Sequence, residues 1–178
     1  MAKMLPPLMN ADTESAAERK LFDKMRDELP DSWVVFHSVG LPNHSRKLWA
    51  EIDFLLVGPP GVFCLEVKGG RVGRRDNSWY SIDRDGVEHA IKDPVDQVAS
   101  GSSALYAFLR QGVPEFASAV AAYAVALPDV DWADEVARDI EDPVYTYEDY
   151  TKPFTEFTDR LARHWTKKVE GKRNAKVT

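Results

Sequence analysis

The chain has one cysteine, Cys64, in 178 residues. No disulfide can therefore form within it, and no cysteine-based zinc ribbon or finger can be built. Its longest apolar run, Ala117 to Leu127, is too short to cross a membrane. The opening MAKMLPPLMN lacks the continuous apolar core of a secretory signal. There is no G-x-x-x-x-G-K-[ST] loop, which argues against ATP-driven chemistry, and no G-x-S-x-G elbow for a serine hydrolase. The four histidines, at 37, 44, 89 and 164, show no metal-ligand spacing and read as structural or exposed. No internal repeat is visible, and 10 Gly with 11 Pro is neither low-complexity nor collagenous. What is left is a soluble, single-domain, cytoplasmic protein. A chain of this size buries roughly 70% of its unfolded surface, and 44% hydrophobic residues supply the core.

Charge is scarce in one sense and abundant in another. The net charge of −6 argues against a polyanionic partner, but its distribution does not. From Pro128 to Tyr150 there are nine acids and one base, Arg138, a local −8 that leaves +2 for the rest of the chain. Bases gather at Lys68, Arg71, Arg74 and Arg75, and again after Lys167. A polyanion responds to the local field rather than the total, although such clusters are equally often plain solvated surface.

The apolar spacing of Leu21, Phe22, Met25 and Leu29 predicts a helix over Asp12–Leu29, stopped by Pro30. Trp33–Val39 reads as a strand. Two apolar runs, Trp49–Val57 and Val62–Lys68, flank Gly58-Pro59-Pro60-Gly61, a strong turn signal. Residues 71–82 and 86–89 read as short strands at a sheet edge, turning at Asp76-Asn77. Asp93-Pro94 opens a second helix that ends at Gly112. Residues 117–127 form a buried strand by length, and 154–168 return to helical spacing. The acidic block reads as loop with a short helix. The basic tail, 169–178, is expected to be disordered. This order gives a mixed α/β sheet flanked by helices.

The hairpin carries the chemistry. If Gly58–Gly61 is a four-residue loop, facing residues have numbers summing to 119, so Asp53 faces Glu66 and Glu51 faces Lys68. Strict alternation puts Ile52, Phe54, Leu56, Phe63, Leu65 and Val67 on one apolar face. Asp53, Glu66, Lys68 and Glu51 share the other. Two carboxylates with Cβ atoms roughly 5 Å apart repel unless a cation lies between them. Mg²⁺ takes one or two carboxylates plus phosphate oxygen, and a nearby ammonium can orient water or hold charge on a phosphate. That is the chemistry of metal-assisted phosphodiester hydrolysis. The same residues also read as a charged strand end in which Lys68 pairs with Glu51 or Glu66.

The spacing of Asp53 and Glu66-Val67-Lys68 resembles the PD-(D/E)xK nuclease superfamily. The wider context, SAAERKLFDKM, WVVFH, EIDFLLVG, GVFCLEVKGG and DPVDQV, resembles its nuclease-related domain family, NERD, from about Ser15 to Leu127. Ile52 stands where the superfamily usually has proline. The resemblance implies a restriction-endonuclease-like α/β fold over residues 1–168 and a Mg²⁺- or Mn²⁺-dependent deoxyribonuclease acting in DNA repair or processing. It implies Asp53, Glu66 and the Val67 carbonyl as metal ligands, with Lys68 positioning the attacking water. Glu18 on the first helix and Gln97 on the second would support them, although Ser15-Ala16-Ala17-Glu18 also reads as a capping box. Arg71, Arg74 and Arg75 are candidates for flanking phosphates. Trp79 and Tyr80 could stack on bases or simply pack a strand edge. A helicase or other domain, in cis or in trans, and a second copy of the chain are possible partners. The rival expectation is an inactive module of the same fold that binds DNA or a protein.

Overall fold

The helix before Pro30 forms as α1 (Ala16–Glu28), where Ser15 caps the start by accepting the Glu18 N–H at 3.2 Å. The computed structural model describes residues 1–9, 11, 13, 15–42, 49–114, 116, 121–131 and 140–174. Around α1 lie β1 (Lys3–Leu5), β2 (Val34–Pro42), β3 (Trp49–Gly58), β4 (Gly61–Val67), β5 (Arg71–Arg75), β6 (Ser78–Ile82) and β7 (Glu88–Ile91). Then follow α2 (Pro94–Gly112), β8 (Ala121–Ala126), β9 (Val144–Tyr145), α3 (Tyr147–Tyr150) and α4 (Phe154–Asn174). The Asp93 carboxylate caps α2, accepting from Val95 N–H at 2.8 Å and Asp96 N–H at 3.2 Å. Pro94 fills the first helical position, where its missing N–H costs nothing. None of the helices among the described residues is long and apolar enough to cross a membrane.

One sheet of six strands runs β1-β2-β3-β4-β8-β9 and mixes antiparallel with parallel pairs. On one face α1 and α4 bury Leu21, Phe22, Met25, Phe154, Phe157 and Leu161 against Phe54, Leu56, Phe63 and Leu65. On the other face Val98 and Leu105 of α2 pack with Leu55, Val62 and Cys64. This is a restriction-endonuclease-like α/β fold, a mixed sheet flanked by helices as expected. Three details differ from expectation, while the turn at Asp76-Asn77 falls where it is predicted. Strands β5, β6 and β7 form an antiparallel sheet of their own rather than an edge of the main one. Its hairpin turns at Asp76 and Asn77 with φ of 49° and 62°, the double left-handed turn that suits strand twist. The acidic block contributes β9 and α3, and its residues 132–139 lie outside the described ones. Finally, α4 continues to Asn174, so the first residues of the expected tail are helical, while 175–178 lie outside the description.

The hairpin register is the predicted one. Val57 pairs Val62 and Phe54 pairs Leu65, each summing to 119. That ladder ends at Phe54–Leu65, one step short of Asp53 and Glu66. The predicted faces also need one correction. Ile52 packs with Val98 of the α2 core, not with Phe54. Strands β2 and β3 pair on both sides of Ser38 and Asp53 but not through them, and Ser38 has a left-handed φ of 59°. On one side of this break His37 stacks on Phe54, and on the other Val39 pairs with Ile52 and faces α2. The strand pair rolls over at Asp53, so simple period-two counting fails there.

Candidate active site

The break in the pleat sets the direction of the Asp53 carboxylate. Its Oδ2 accepts the Val67 N–H at 2.7 Å, standing where a backbone carbonyl of β3 would continue the ladder. On the other side of β4, Lys68 N–H donates to the Ala126 carbonyl of β8 at 2.9 Å. An extended residue turns its N–H and C=O to the same side. The Val67 carbonyl is therefore turned toward the gap that opens between β3 and β4, beside Asp53.

Glu66 is 5% exposed, which sets aside a merely solvated strand end. Its Oε1 accepts from Lys68 Nζ at 2.6 Å, and this resolves the choice of partner for the lysine. Glu51 is engaged elsewhere, by the Ser38 hydroxyl, and sits opposite Gly40 of β2. Glu18 comes from α1 on the sheet's other side. Its backbone serves the Ser15 cap, but its carboxylate leaves the cap and meets His37 Nε2 at 2.9 Å. His37 is 6% exposed and wedged between Phe22 and Phe54, with ring centroids 6.0 Å and 4.8 Å away.

Electrostatics at this point are out of balance. Burial first, and the Glu66 charge second, push the Asp53 carboxyl up to about 7. The Val67 N–H and Lys68 work the other way, and Glu18 adds to the push. Lys68 pairs with Glu66 among the described residues, and the His37 imidazole with Glu18 beside Asp53. Among the described residues no three acids, histidines or cysteines are gathered into a ready metal cage. The donor chemistry nevertheless fits a hard divalent cation: the carboxylate oxygens of Asp53 and Glu66 with the Val67 carbonyl oxygen.

Nearly two thirds of the chain, residues 13–125, matches the model of one family, NERD, the nuclease-related domain. The chain belongs to that family. No curated protein and no solved structure matches it. The NERD segment contains every residue expected at the site.

The NERD domain places those residues unevenly. Asp53, Glu66, Val67, Lys68 and Glu18 come together. Gln97 is half-buried in the first turns of α2, one turn before Gly101, whose Cβ would lie 3.4 Å from Ile52. Its helix face is therefore the one turned to β3, but no hydrogen bond among the described residues joins its side chain to the charged group. Arg71, Arg74 and Arg75 lie on β5, outside the cluster. Each has a partner: the Asp83 carbonyl at 2.5 Å, the Asn77 side chain at 2.9 Å and Glu88 at 3.3 Å, respectively. Trp79 is buried under Arg74 in the α2 core, so it packs rather than offering a free base-stacking face.

Two residues escaped the sequence reading. His37, which by spacing reads as structural or exposed, holds Glu18. The signal was available: Val35 faces the α1 core, so period two puts His37 on a core face, where a polar ring needs a partner. Asp129 is, in sequence, one member of the acidic block. It follows the C-terminal end of β8, parallel to and beside β4, the end of a parallel pair where sites form in α/β sheets.

Proposed function

We propose that this NERD domain is a metal-dependent nuclease of the PD-(D/E)xK type, hydrolysing DNA phosphodiester bonds in DNA repair or processing in the cytoplasm. One observation carries the reading: buried Asp53 and Glu66 act on each other where β3 and β4 separate, the Glu66 charge helping to push the Asp53 carboxyl up to about 7, with Lys68 Nζ 2.6 Å from Glu66. In this reading Asp53, Glu66 and the Val67 carbonyl hold Mg²⁺ or Mn²⁺. When bound, the ion polarises the scissile phosphate and makes water a better nucleophile. Lys68 orients that water and holds charge developing on the phosphate. Glu18, steadied by His37, receives a hydrogen bond from the water, and Gln97 supports the site from α2. Arg71 and Arg75 reach flanking phosphates from the exposed side of β5, with Arg74 bracing them through Trp79. A helicase or other domain, in cis or in trans, and a second copy for duplex cutting are compatible partners.

The test compares wild type with Asp53→Ala and Lys68→Ala on plasmid and oligonucleotide DNA, with Mg²⁺ and Mn²⁺. Cleavage by wild type alone supports the reading; equal cleavage by all three refutes it. A second reading, an inactive module that binds DNA or a protein, draws on the lack of a ready three-ligand cage among the described residues. It also draws on the two closed contacts, Lys68 to Glu66 and Asp53 to Val67. Calorimetric Mn²⁺ titration of wild type and Glu66→Ala separates the two. A binding event lost in the variant favours the enzyme, and metal-independent DNA binding without turnover favours the module.

A further inference from the structure

We propose that Asp129 is a positioning residue of this site, tying the helix that bears Glu18 to the turn that follows Lys68. Asp129 lies beyond the segment that the NERD model matches. Because β8 runs parallel to β4 beside it, the chain leaving β8 arrives next to the chain leaving β4. There the two carboxylate oxygens divide their work. Oδ2 accepts the Gly70 N–H at 2.9 Å, and Oδ1 receives Lys20 Nζ of α1 at 2.5 Å.

The segments joined in this way already touch. A Cβ on Gly69 would lie 2.8 Å from the Ala17 Cβ and 3.7 Å from Asp129 Oδ2, so only glycine lets helix and turn approach so closely. Gly70 has a left-handed φ of 72°, and that conformation accompanies the N–H bond to Asp129. Ala17 is the residue before Glu18, and Gly69 is the residue after Lys68. Loosening the Asp129 bridge would therefore shift Glu18 against Lys68 directly. Burial works against the Asp129 charge, but Lys20 and the Gly70 N–H outweigh it and hold the carboxyl below its usual range.

The inference rests on the nuclease reading in its kinetic and metal-binding arms and is independent of it in hydrogen exchange. Asp129→Ala, Asp129→Asn and Lys20→Met are compared with Asp142→Ala, an acid whose partners Lys168 and Tyr123 lie away from the site. We expect Asp129→Ala to lower kcat roughly 10- to 100-fold with KM little changed, the scale of a misplaced catalytic group. Weaker Mn²⁺ binding and faster hydrogen exchange at the Gly70 amide should accompany it. Asp129→Asn, which keeps an acceptor for Gly70, should recover part of the loss, and Asp142→Ala should change neither kcat nor Mn²⁺ affinity. If Asp129→Ala does not fold, Asp129→Asn and Lys20→Met carry the same comparison. The proposal is overturned if the Asp129 and Lys20 variants lose only thermal stability, as Asp142→Ala does. Should wild type bind Mn²⁺ but cut nothing, the nuclease reading fails and the bridge is judged on metal affinity. Should it bind none, Gly70 exchange decides: unchanged protection in Asp129→Ala sinks the bridge.

Discussion

Two groups of acids in this molecule look alike in composition and differ in balance. At the far edge, Asp149 is buried and held by Arg160 through two contacts of 2.7 and 2.8 Å, with the Thr146 N–H at 3.0 Å. Nearby, Asp142 accepts the Tyr123 hydroxyl at 2.9 Å and an ammonium from Lys168. Although burial opposes the Asp142 charge, Lys168 and Tyr123 outweigh it and hold the carboxyl low. At the β3–β4 fork the outcome reverses, and Asp53 is pushed up because burial and Glu66 outweigh the Val67 N–H and Lys68. An acid whose partners outweigh burial makes structure; a carboxyl pushed up by burial and a neighbouring carboxylate is one that a cation can satisfy.

The sharpest way to break this comparison is to remove one acid from each group. Glu66→Ala should reduce DNA cleavage by about 10³-fold, as losing a group that acts on transition-state charge does. Asp149→Ala should leave cleavage per folded molecule intact but cost on the order of 2 kcal/mol, because Arg160 loses its charged partner. Thermal melts and initial rates on the same preparations check both. If Asp149→Ala also abolishes cleavage, the two groups are not functionally distinct.

A smaller effect concerns pH. A carboxyl whose folded pKa is raised from 3.8 to about 7 binds protons more tightly in the folded than in the unfolded chain across that window. Its contribution to stability is thus greatest at low pH and declines as pH rises through that window. Asp53→Asn keeps an acceptor for Val67 N–H and removes the charge. It should stabilise the metal-free protein by about 1–3 kcal/mol at pH 8 and by almost nothing near pH 4. Melting curves across pH without divalent ions measure this, and a stability loss at pH 8 would contradict the charge imbalance.

Smaller again is His37→Phe, which fills the space between Phe22 and Phe54 but leaves Glu18 without its 2.9 Å contact. Cleavage should fall about tenfold with the fold retained, within the range for a group that orients another. Least of all, Lys152→Ala removes an exposed i,i+4 pair with Glu148 at 2.6 Å. It should leave the melting temperature unchanged within error, as fully exposed pairs do, and a clear drop would mean that far-edge acids depend on surface charge as well.

Much of this was legible before folding. The Gly58–Gly61 turn and flanking apolar runs determined the hairpin and its 119 register, since loop length sets which residues pair. The same local logic placed the helix caps at Ser15 and Asp93 and brought Asp53, Glu66 and Lys68 to one end of the hairpin. What tertiary structure alone decided were contacts between segments far apart in sequence. Examples are the rollover at Ser38 and Asp53, the turning of Glu18 from its cap to His37, the separate β5–β7 sheet, and the meeting of Lys20, Gly70 and Asp129. The physical reason is range: turns, caps and periodicity act over a few neighbours, whereas the burial that leaves one carboxylate unbalanced and pairs another exists only once the layers close.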